Sequence, residues 1–389
     1  MKISQAGPRP STARIAFADG FVLEGYGFGA EAETVGEVCF NTAVTGYQEI
    51  LTDPSYAAQI VTFTFPHVGN VGANDEDNEN ATPASADAAR GAIVNRVPTS
   101  PSSYRAKYDF AAWMKRRGVV GVAGVDTREL TNRIRENGMP HAAIAYRADG
   151  RFDEAALVEK ARAFAGLEGK DLARDVTPAS AYREDETAWR WPAGHERSQT
   201  AGPRVVVIDF GAKRNILRLL AAAGADVHAV PATATIDDVM ALSPDGVVLS
   251  NGPGDPAATA RYARWTIEAL LKRDVPLFGV CLGHQLLALS LGAKTVKMRQ
   301  GHHGANHPVK ELATGRVEIV SMNHGFAVDA TTLPEGVEPT YVSLFDGTNA
   351  GIRLTGARAA SVQHHPEASP GPQDSFGVFK AFVDGLRAA

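Results

Sequence analysis

The hydrophobic and polar positions of this chain follow two styles. From Arg14 to about Asp175 short alternating runs come first. Ala13-Arg-Ile-Ala-Phe17, Phe21-Val-Leu-Glu-Gly-Tyr26 and Glu37-Val-Cys-Phe40 alternate apolar with polar, and Gly and Asp punctuate them, as strands and turns do. Gln59-Ile-Val-Thr-Phe-Thr-Phe65 is a stronger strand. Phe110–Arg117 and Thr127–Asn137 carry a helical period, and Asp126 or Thr127 can cap the second. These patterns predict a mixed α/β N-terminal domain. Residues 73–90, with Asp75, Glu76, Asp77 and Glu79, are expected to form an exposed acidic loop.

From Arg204 the apolar runs become continuous. Val205-Val-Val-Ile-Asp-Phe-Gly211 fits a strand buried on both faces. Asn215–Ala223 is helical, Val227–Val230 and Gly246–Asn251 are strands, Arg261–Lys272 is a helix, and Val275–Val280 is a strand. Strand and helix alternate, so this half is expected to be a doubly wound α/β domain with a mostly parallel sheet. Residues 176–203 are polar and aperiodic and resemble a linker, although Trp189 and Trp191 argue that part of it packs down. The expected organisation is an N-terminal domain with linker over residues 1–190 and a C-terminal domain over residues 203–389.

Chemistry concentrates where one of those strands ends. Gly279-Val-Cys281-Leu-Gly283 closes an apolar run, and Leu-Gly-His-Gln-Leu-Leu-Ala-Leu-Ser-Leu follows with a helical pattern. This is the strand–turn–helix of a nucleophile elbow with Cys in place of Ser. Side chains at the flanking glycines would crowd so tight a turn. The thiol sits at a helix N-terminus, where the dipole and free N–H groups favour a thiolate. His365-Pro-Glu367 follows 84 residues later (365 − 281). Cys281, His365 and Glu367 match the logic of nucleophile, base and orienting carboxylate. The N–H of Leu282 and the Asn251-Gly252-Pro253-Gly254 turn, also at a strand end, are candidate oxyanion donors. His364 adjoins His365, and the Pro-Glu that follows His365 marks it as the base.

Composition narrows the alternatives. The 389 residues are 44% apolar and 21% charged, with room for two cores. A net charge of −5 without a basic stripe gives no reason to expect nucleic acid. There is no apolar run long enough for a bilayer, and the first ten residues lack the apolar centre of a secretory signal. Two cysteines, Cys39 and Cys281, are too few for a disulfide framework and fit a reducing cytoplasm. His302, His303 and His307 do not match a zinc spacing, so packing and hydrogen-bonding roles are expected and no metal. No Gly-x-x-x-x-Gly-Lys-Ser/Thr loop occurs, so nothing in the chain reads as a nucleotide engine.

The elbow and His365-Pro-Glu367 resemble those of class I glutamine amidotransferases. Further segments resemble the small-subunit family of carbamoyl phosphate synthetases. In the N-terminal half these are Phe40-Asn-Thr-Ala-Val-Thr-Gly-Tyr-Gln-Glu-Ile-Leu-Thr-Asp-Pro-Ser-Tyr56 and Pro66-His-Val-Gly-Asn-Val-Gly72. Later ones are Asp209-Phe-Gly-Ala-Lys-Arg-Asn-Ile216, Ser250-Asn-Gly-Pro-Gly-Asp-Pro256, Gly301-His-His-Gly-Ala-Asn-His-Pro308, Asn323-His-Gly-Phe326 and His365-Pro-Glu-Ala-Ser-Pro-Gly-Pro372. The likeness covers nearly the whole chain, and the N-terminal segments are its specific part. Ala305 stands where Gly is expected, and His364 where relatives often carry Gly or an aromatic residue. Residues 1–12 have no assignable counterpart.

The resemblance implies a catalytic triad of Cys281, His365 and Glu367. It implies glutamine held by Ser55, Gly252, Gly254, Leu282, Gln285, Asn323, Gly325 and Phe326, with Ser55 coming from the N-terminal domain. It further implies a cytoplasmic heterodimer with a large synthetase subunit. That subunit would hold ATP and Mg, receive ammonia through a tunnel, and make carbamoyl phosphate from bicarbonate for arginine and pyrimidine biosynthesis. No cofactor is expected on this chain. Two other readings remain open. One is ammonia supply to anthranilate, guanylate or cytidylate synthesis, or stand-alone γ-glutamyl hydrolysis, against which the N-terminal domain argues. The other is a non-catalytic docking module, against which the intact triad argues.

Overall fold

Strand-forming runs build two sheets in the computed structural model, which describes residues 10–80, 88–199 and 202–387. The chain divides into two compact units. The first comprises the described part of residues 1–41 with residues 58–75 and 90–166. The second comprises residues 42–57, the described part of 76–89, and the rest of the chain from residue 167.

The first unit is a closed barrel of seven strands: β1 (Ala13–Phe17), β2 (Val22–Gly29), β3 (Glu33–Asn41), β4 (Gln59–Phe63), β5 (Gly91–Val94), β6 (Val120–Ala123) and β7 (His141–Tyr146). Their order is β1-β2-β6-β5-β4-β3-β7. β3 to β6 pair in parallel through β4 and β5, and every residue of β4, β5 and β6 is buried, as parallel strands covered on both faces require. Helices Phe110–Arg116 and Thr127–Asn137 form where their periodicity places them. Asp126 caps the second, accepting from Arg128 and Glu129 N–H at 3.0 Å each.

The second unit carries a ten-stranded sheet from β8 (Tyr182–Glu184), β9 (Arg204–Asp209), β10 (Asp226–Pro231), β11 (Gly246–Leu249), β12 (Leu277–Val280), β13 (Lys294–Glu311), β14 (Val317–Asp329), β15 (Val337–Ser343), β16 (Asn349–Leu354) and β17 (Ala359–Val362). The order is β14-β13-β15-β16-β17-β12-β11-β9-β10-β8. The parallel part is the centre, β17-β12-β11-β9-β10, and antiparallel strands flank it on both sides. Helices Arg214–Ala222, Pro256–Lys272 and Leu282–Ser290 are the expected crossovers, each following a parallel strand.

Two expectations need correction. Residues 176–203 are not all linker: β8 pairs antiparallel with β10, and Tyr182 donates its hydroxyl to Asp209 Oδ2 at 2.9 Å. The 73–90 stretch is not simply solvated: Asp75 and Glu76 are exposed, but Glu79 is buried. Residues 81–87 of that stretch lie outside the described residues, as do residues 1–9 of the N-terminal extension.

Candidate active site

Cys281 joins β12 to the helix Leu282–Ser290 in a strained conformation, φ 52° and ψ −103°. A non-glycine residue there costs about 1–3 kcal/mol, which the surrounding packing must offset. The flanking glycines explain how. A Cβ on Gly283 would lie 2.1 Å from the Leu249 carbonyl oxygen, and one on Gly279 2.7 Å from the Gly283 carbonyl oxygen. Both contacts are with backbone, which cannot swing away. The turn is pinned by Cys281 N–H donating to Val362 O at 2.9 Å and Gly283 N–H donating to Ser250 O at 3.0 Å. The thiol is buried and lies 3.5 Å from Asn323 O, to which it can donate.

His365 follows β17, and its N–H donates to Ser321 O on β14 at 2.9 Å. Its Nδ1 is 2.6 Å from Glu367 Oε1, and both residues are buried. Burial pushes the imidazole down, but the charges of Glu367 and Cys281 outweigh it and raise its pKa from 6.5 to about 10. Burial likewise pushes Glu367 up, and Lys213 followed by His365 outweighs it, holding the carboxyl down at about 2. Lys213 Nζ lies 3.1 Å from Glu367 Oε1 and donates to the carbonyl of Ala368. Asn215 Nδ2 donates to Glu367 O at 2.6 Å. His364 points elsewhere: its ring packs edge-on against Tyr341 at 5.4 Å, and burial, then the charge of His365, pushes it to about 3.

The Asn251–Gly254 turn abuts the elbow. A Cβ on Gly252 would meet Phe210 O at 2.2 Å and Leu282 Cδ2 at 2.9 Å. Asn251 Nδ2 donates to Ser55 Oγ at 2.8 Å and to Gly211 O at 3.1 Å, while its Oδ1 accepts from Lys213 N–H at 2.9 Å. Asp53 accepts from Ser55 N–H at 2.9 Å and from Asn323 Nδ2 at 3.1 Å. Asn323 Oδ1 is 2.9 Å from His303 Nδ1. Gln285 donates to Phe326 O at 2.7 Å and to Gln363 Oε1 at 2.9 Å.

Of the residues that the family likeness nominates for glutamine, Ser55, Gly252, Leu282, Gln285, Asn323 and Phe326 are therefore joined to the elbow through this network. Ser55 lies in residues 42–57, which belong to the second unit. Gly254 and Gly325 make their close approaches elsewhere, Gly254 against Lys170 and Leu172 and Gly325 against Gly301. Sequence reasoning missed Asp53, Lys213 and Glu79. Two had signals. Asp-Pro-Ser is a helix-cap pattern, and Asp53 does cap a short 3₁₀ turn. A lysine at a helix start opposes the macrodipole, a local violation that marks a special role.

His302 and His303 hydrogen-bond, and His307 packs its ring against His302 and Phe345. His302 Nε2 is 2.8 Å from Asp346 Oδ2, and its ring lies 5.1 Å from that of His307. Among the described residues no group of three or more His, Cys, Asp or Glu is placed to hold a metal ion. Among them too, no helix is long and apolar enough to cross a membrane.

Residues 206–384 match the family described as glutamine amidotransferase class-I, and residues 15–144 match the carbamoyl-phosphate synthase small chain, CPSase domain. The carbamoyl phosphate synthase small chain of Caulobacter vibrioides is 62% identical over 378 residues, 97% of each chain. Those of Ruegeria pomeroyi and Rhizobium meliloti are each 59% identical, covering 97% of this chain and 96% and 94% of theirs.

Proposed function

This chain belongs to the family of carbamoyl phosphate synthase small chains, and from that premise we propose that it hydrolyses glutamine at Cys281 through a thioester and passes the ammonia to a large partner subunit. The observation that carries the reading is the strained Cys281 turn beside the buried His365–Glu367 pair. His365 takes the thiol proton as the Cys281 sulfur attacks the carboxamide carbon of glutamine, and gives it to the departing ammonia as the bond to nitrogen breaks. Water then attacks the thioester with His365 as base, releasing glutamate and the thiol. Glu367 orients the imidazole and stabilises its charged form. The N–H of Leu282 and those of the Gly252–Gly254 turn receive the oxyanion. Ser55, Gly252, Gly254, Leu282, Gln285, Asn323, Gly325 and Phe326 hold the substrate.

The triad of the glutaminase reaction is assigned to residues 203–389, with Ser55 from residues 42–57 joining its substrate site, and partner docking to the N-terminal domain within residues 1–190. ATP and Mg belong to the partner, since no phosphate-binding loop is present in the sequence. Carbamoyl phosphate for arginine and pyrimidine synthesis is the product of the assembled heterodimer. Two buried cysteines, too few for a disulfide framework, suit the reducing cytoplasm.

Glutamate release by the purified chain with and without the partner tests this, alongside calorimetric titration with ATP. The expected result is slow hydrolysis alone, faster hydrolysis in the complex, and no ATP binding. Cys281→Ser is expected to abolish glutamine-dependent synthesis and spare ammonia-dependent synthesis. Full-speed hydrolysis by the free chain would favour a stand-alone hydrolase, and stoichiometric ATP binding would overturn the division of labour.

A further inference from the structure

Glu79 is out of place in its own segment. Asp75 and Glu76 face solvent, yet Glu79 is 1% exposed. Burying a carboxylate is costly unless it is paired, so its partners matter. The side chain accepts from Asn215 N–H at 3.0 Å and from the hydroxyl of Ser369. The backbone is held too: Glu79 N–H donates to Thr52 Oγ1 at 2.9 Å, and its carbonyl accepts from Arg214 N–H at 2.8 Å. Asn80 continues the contact with a bridge to Lys213. One residue thus ties together the helix Tyr47–Thr52, the start of the helix Arg214–Ala222 and the turn just after Glu367.

Both far ends of this clamp support the triad. Lys213 precedes the Arg214–Ala222 helix and pairs with Glu367 at 3.1 Å. Ser369 stands two residues beyond Glu367. Burial pushes Lys213 down, and the charges of Glu367, Glu79 and Asp53 outweigh it; burial raises the pKa of Glu79, and the charges of Lys213 and Arg218 pull the other way without cancelling it. The fields of the two carboxylates add, so ionised Glu79 reinforces Glu367 in holding Lys213 and the imidazolium of His365 charged.

We infer that Glu79 is a positioning residue of the glutaminase site, sharing Lys213 with Glu367 and fixing the turn that carries Glu367. The inference rests on the triad reading above. Glu79 acts through Lys213 and Ser369 rather than on substrate. Its loss is therefore expected in the chemical step and in the proton affinity of His365, with substrate binding little changed.

The test uses the complex with its large subunit and compares wild type with Glu79→Gln, which keeps volume and an acceptor but removes charge. Expected are a fall of at least about tenfold in kcat for glutamate release and a KM for glutamine within about twofold. The alkaline limb of kcat should move to lower pH by about half a unit or more, because removing a nearby negative charge makes His365 lose its proton earlier. Ser369→Ala, a milder cut of the same clamp, should give a smaller kcat loss and carries the test if Glu79→Gln folds poorly. Unchanged kcat in both variants overturns the inference. So does a loss that tracks thermal unfolding with the pH profile unmoved, since that is a structural role alone. Failure of the wild-type complex to release glutamate would overturn the glutaminase reading itself, and this inference with it.

Discussion

Lys213 and His365 meet on one oxygen: Glu367 Oε1 lies 3.1 Å from Lys213 Nζ and 2.6 Å from His365 Nδ1. The carboxylate therefore serves two cations at once in a buried setting. Lys213 is what keeps Glu367 ionised even when His365 is neutral, because burial by itself favours the protonated acid.

Replacing Lys213 by Met should then raise the pKa of Glu367. The acid limb of glutamine turnover moves to higher pH, and kcat at neutral pH falls by about tenfold or more. A pH profile of glutamate release checks both. An acid limb that stays in place would remove Lys213 from this role.

The same pair makes a statement about stability. His365 is raised from 6.5 to about 10, so its contribution is fully present below pH 6.5 and is lost as pH rises through 10. Glu367 is lowered from 4.5 to about 2, so its contribution is present above pH 4.5 and is lost as pH falls through 2. Urea unfolding of wild type and His365→Asn across the pH range should show the stability gap closing between pH 6.5 and 10. A gap that widens there would contradict the assigned proton.

The two neighbouring histidines should separate cleanly. His365→Asn is expected to cost about two to four orders of magnitude in glutamate release. His364→Phe should leave turnover within about threefold and raise stability by about 1 kcal/mol. Both ring nitrogens of His364 are buried without a hydrogen-bond partner among the described residues, and Phe can keep the edge contact with Tyr341. Equal kinetic losses from the two changes would undo the choice of base.

Asp53→Ala removes the acceptor for Ser55 N–H and Asn323 Nδ2 and leaves both buried or half-buried donors unpaired. A loss of about 2 kcal/mol in unfolding free energy is expected. The KM for glutamine should rise more than kcat falls, because Ser55 and Asn323 are the residues set loose. Steady-state kinetics with glutamine, together with a denaturant titration, decides it.

Local chemistry explains what was legible in the sequence. The elbow announced itself because a tight turn demands Gly279 and Gly283. The helix Thr127–Asn137 did so because Asp126 caps it and its apolar positions recur on one face. The membership of segments in units was not legible. Residues 42–57 and Glu79 sit among N-terminal patterns and pack with the C-terminal unit, and no short-range period encodes that choice. Glu79 was hidden by its acidic neighbours, whose charges pointed to solvent. The long β13–β14 hairpin was hidden because Gly301-His-His-Gly-Ala-Asn-His-Pro308 lacks the alternation of a half-buried strand. Its pairing also shifts register between Gly304 and His307.

The tie from Glu79 to Ser369 spans 290 positions of the chain. On a ribosome adding about 5–20 residues per second, the first partner waits roughly 15 to 60 s for the second to be made. During that interval a buried-type carboxylate and the Asp53 segment have nothing to close against, so the nucleophile's surroundings are completed only after residue 369 has been made. A message broken between the codons for Gly166 and His365 therefore yields chains that hold every barrel strand and no working thiol. Slow codons between those for Glu79 and Ser369 would lengthen the period in which each new chain is catalytically silent.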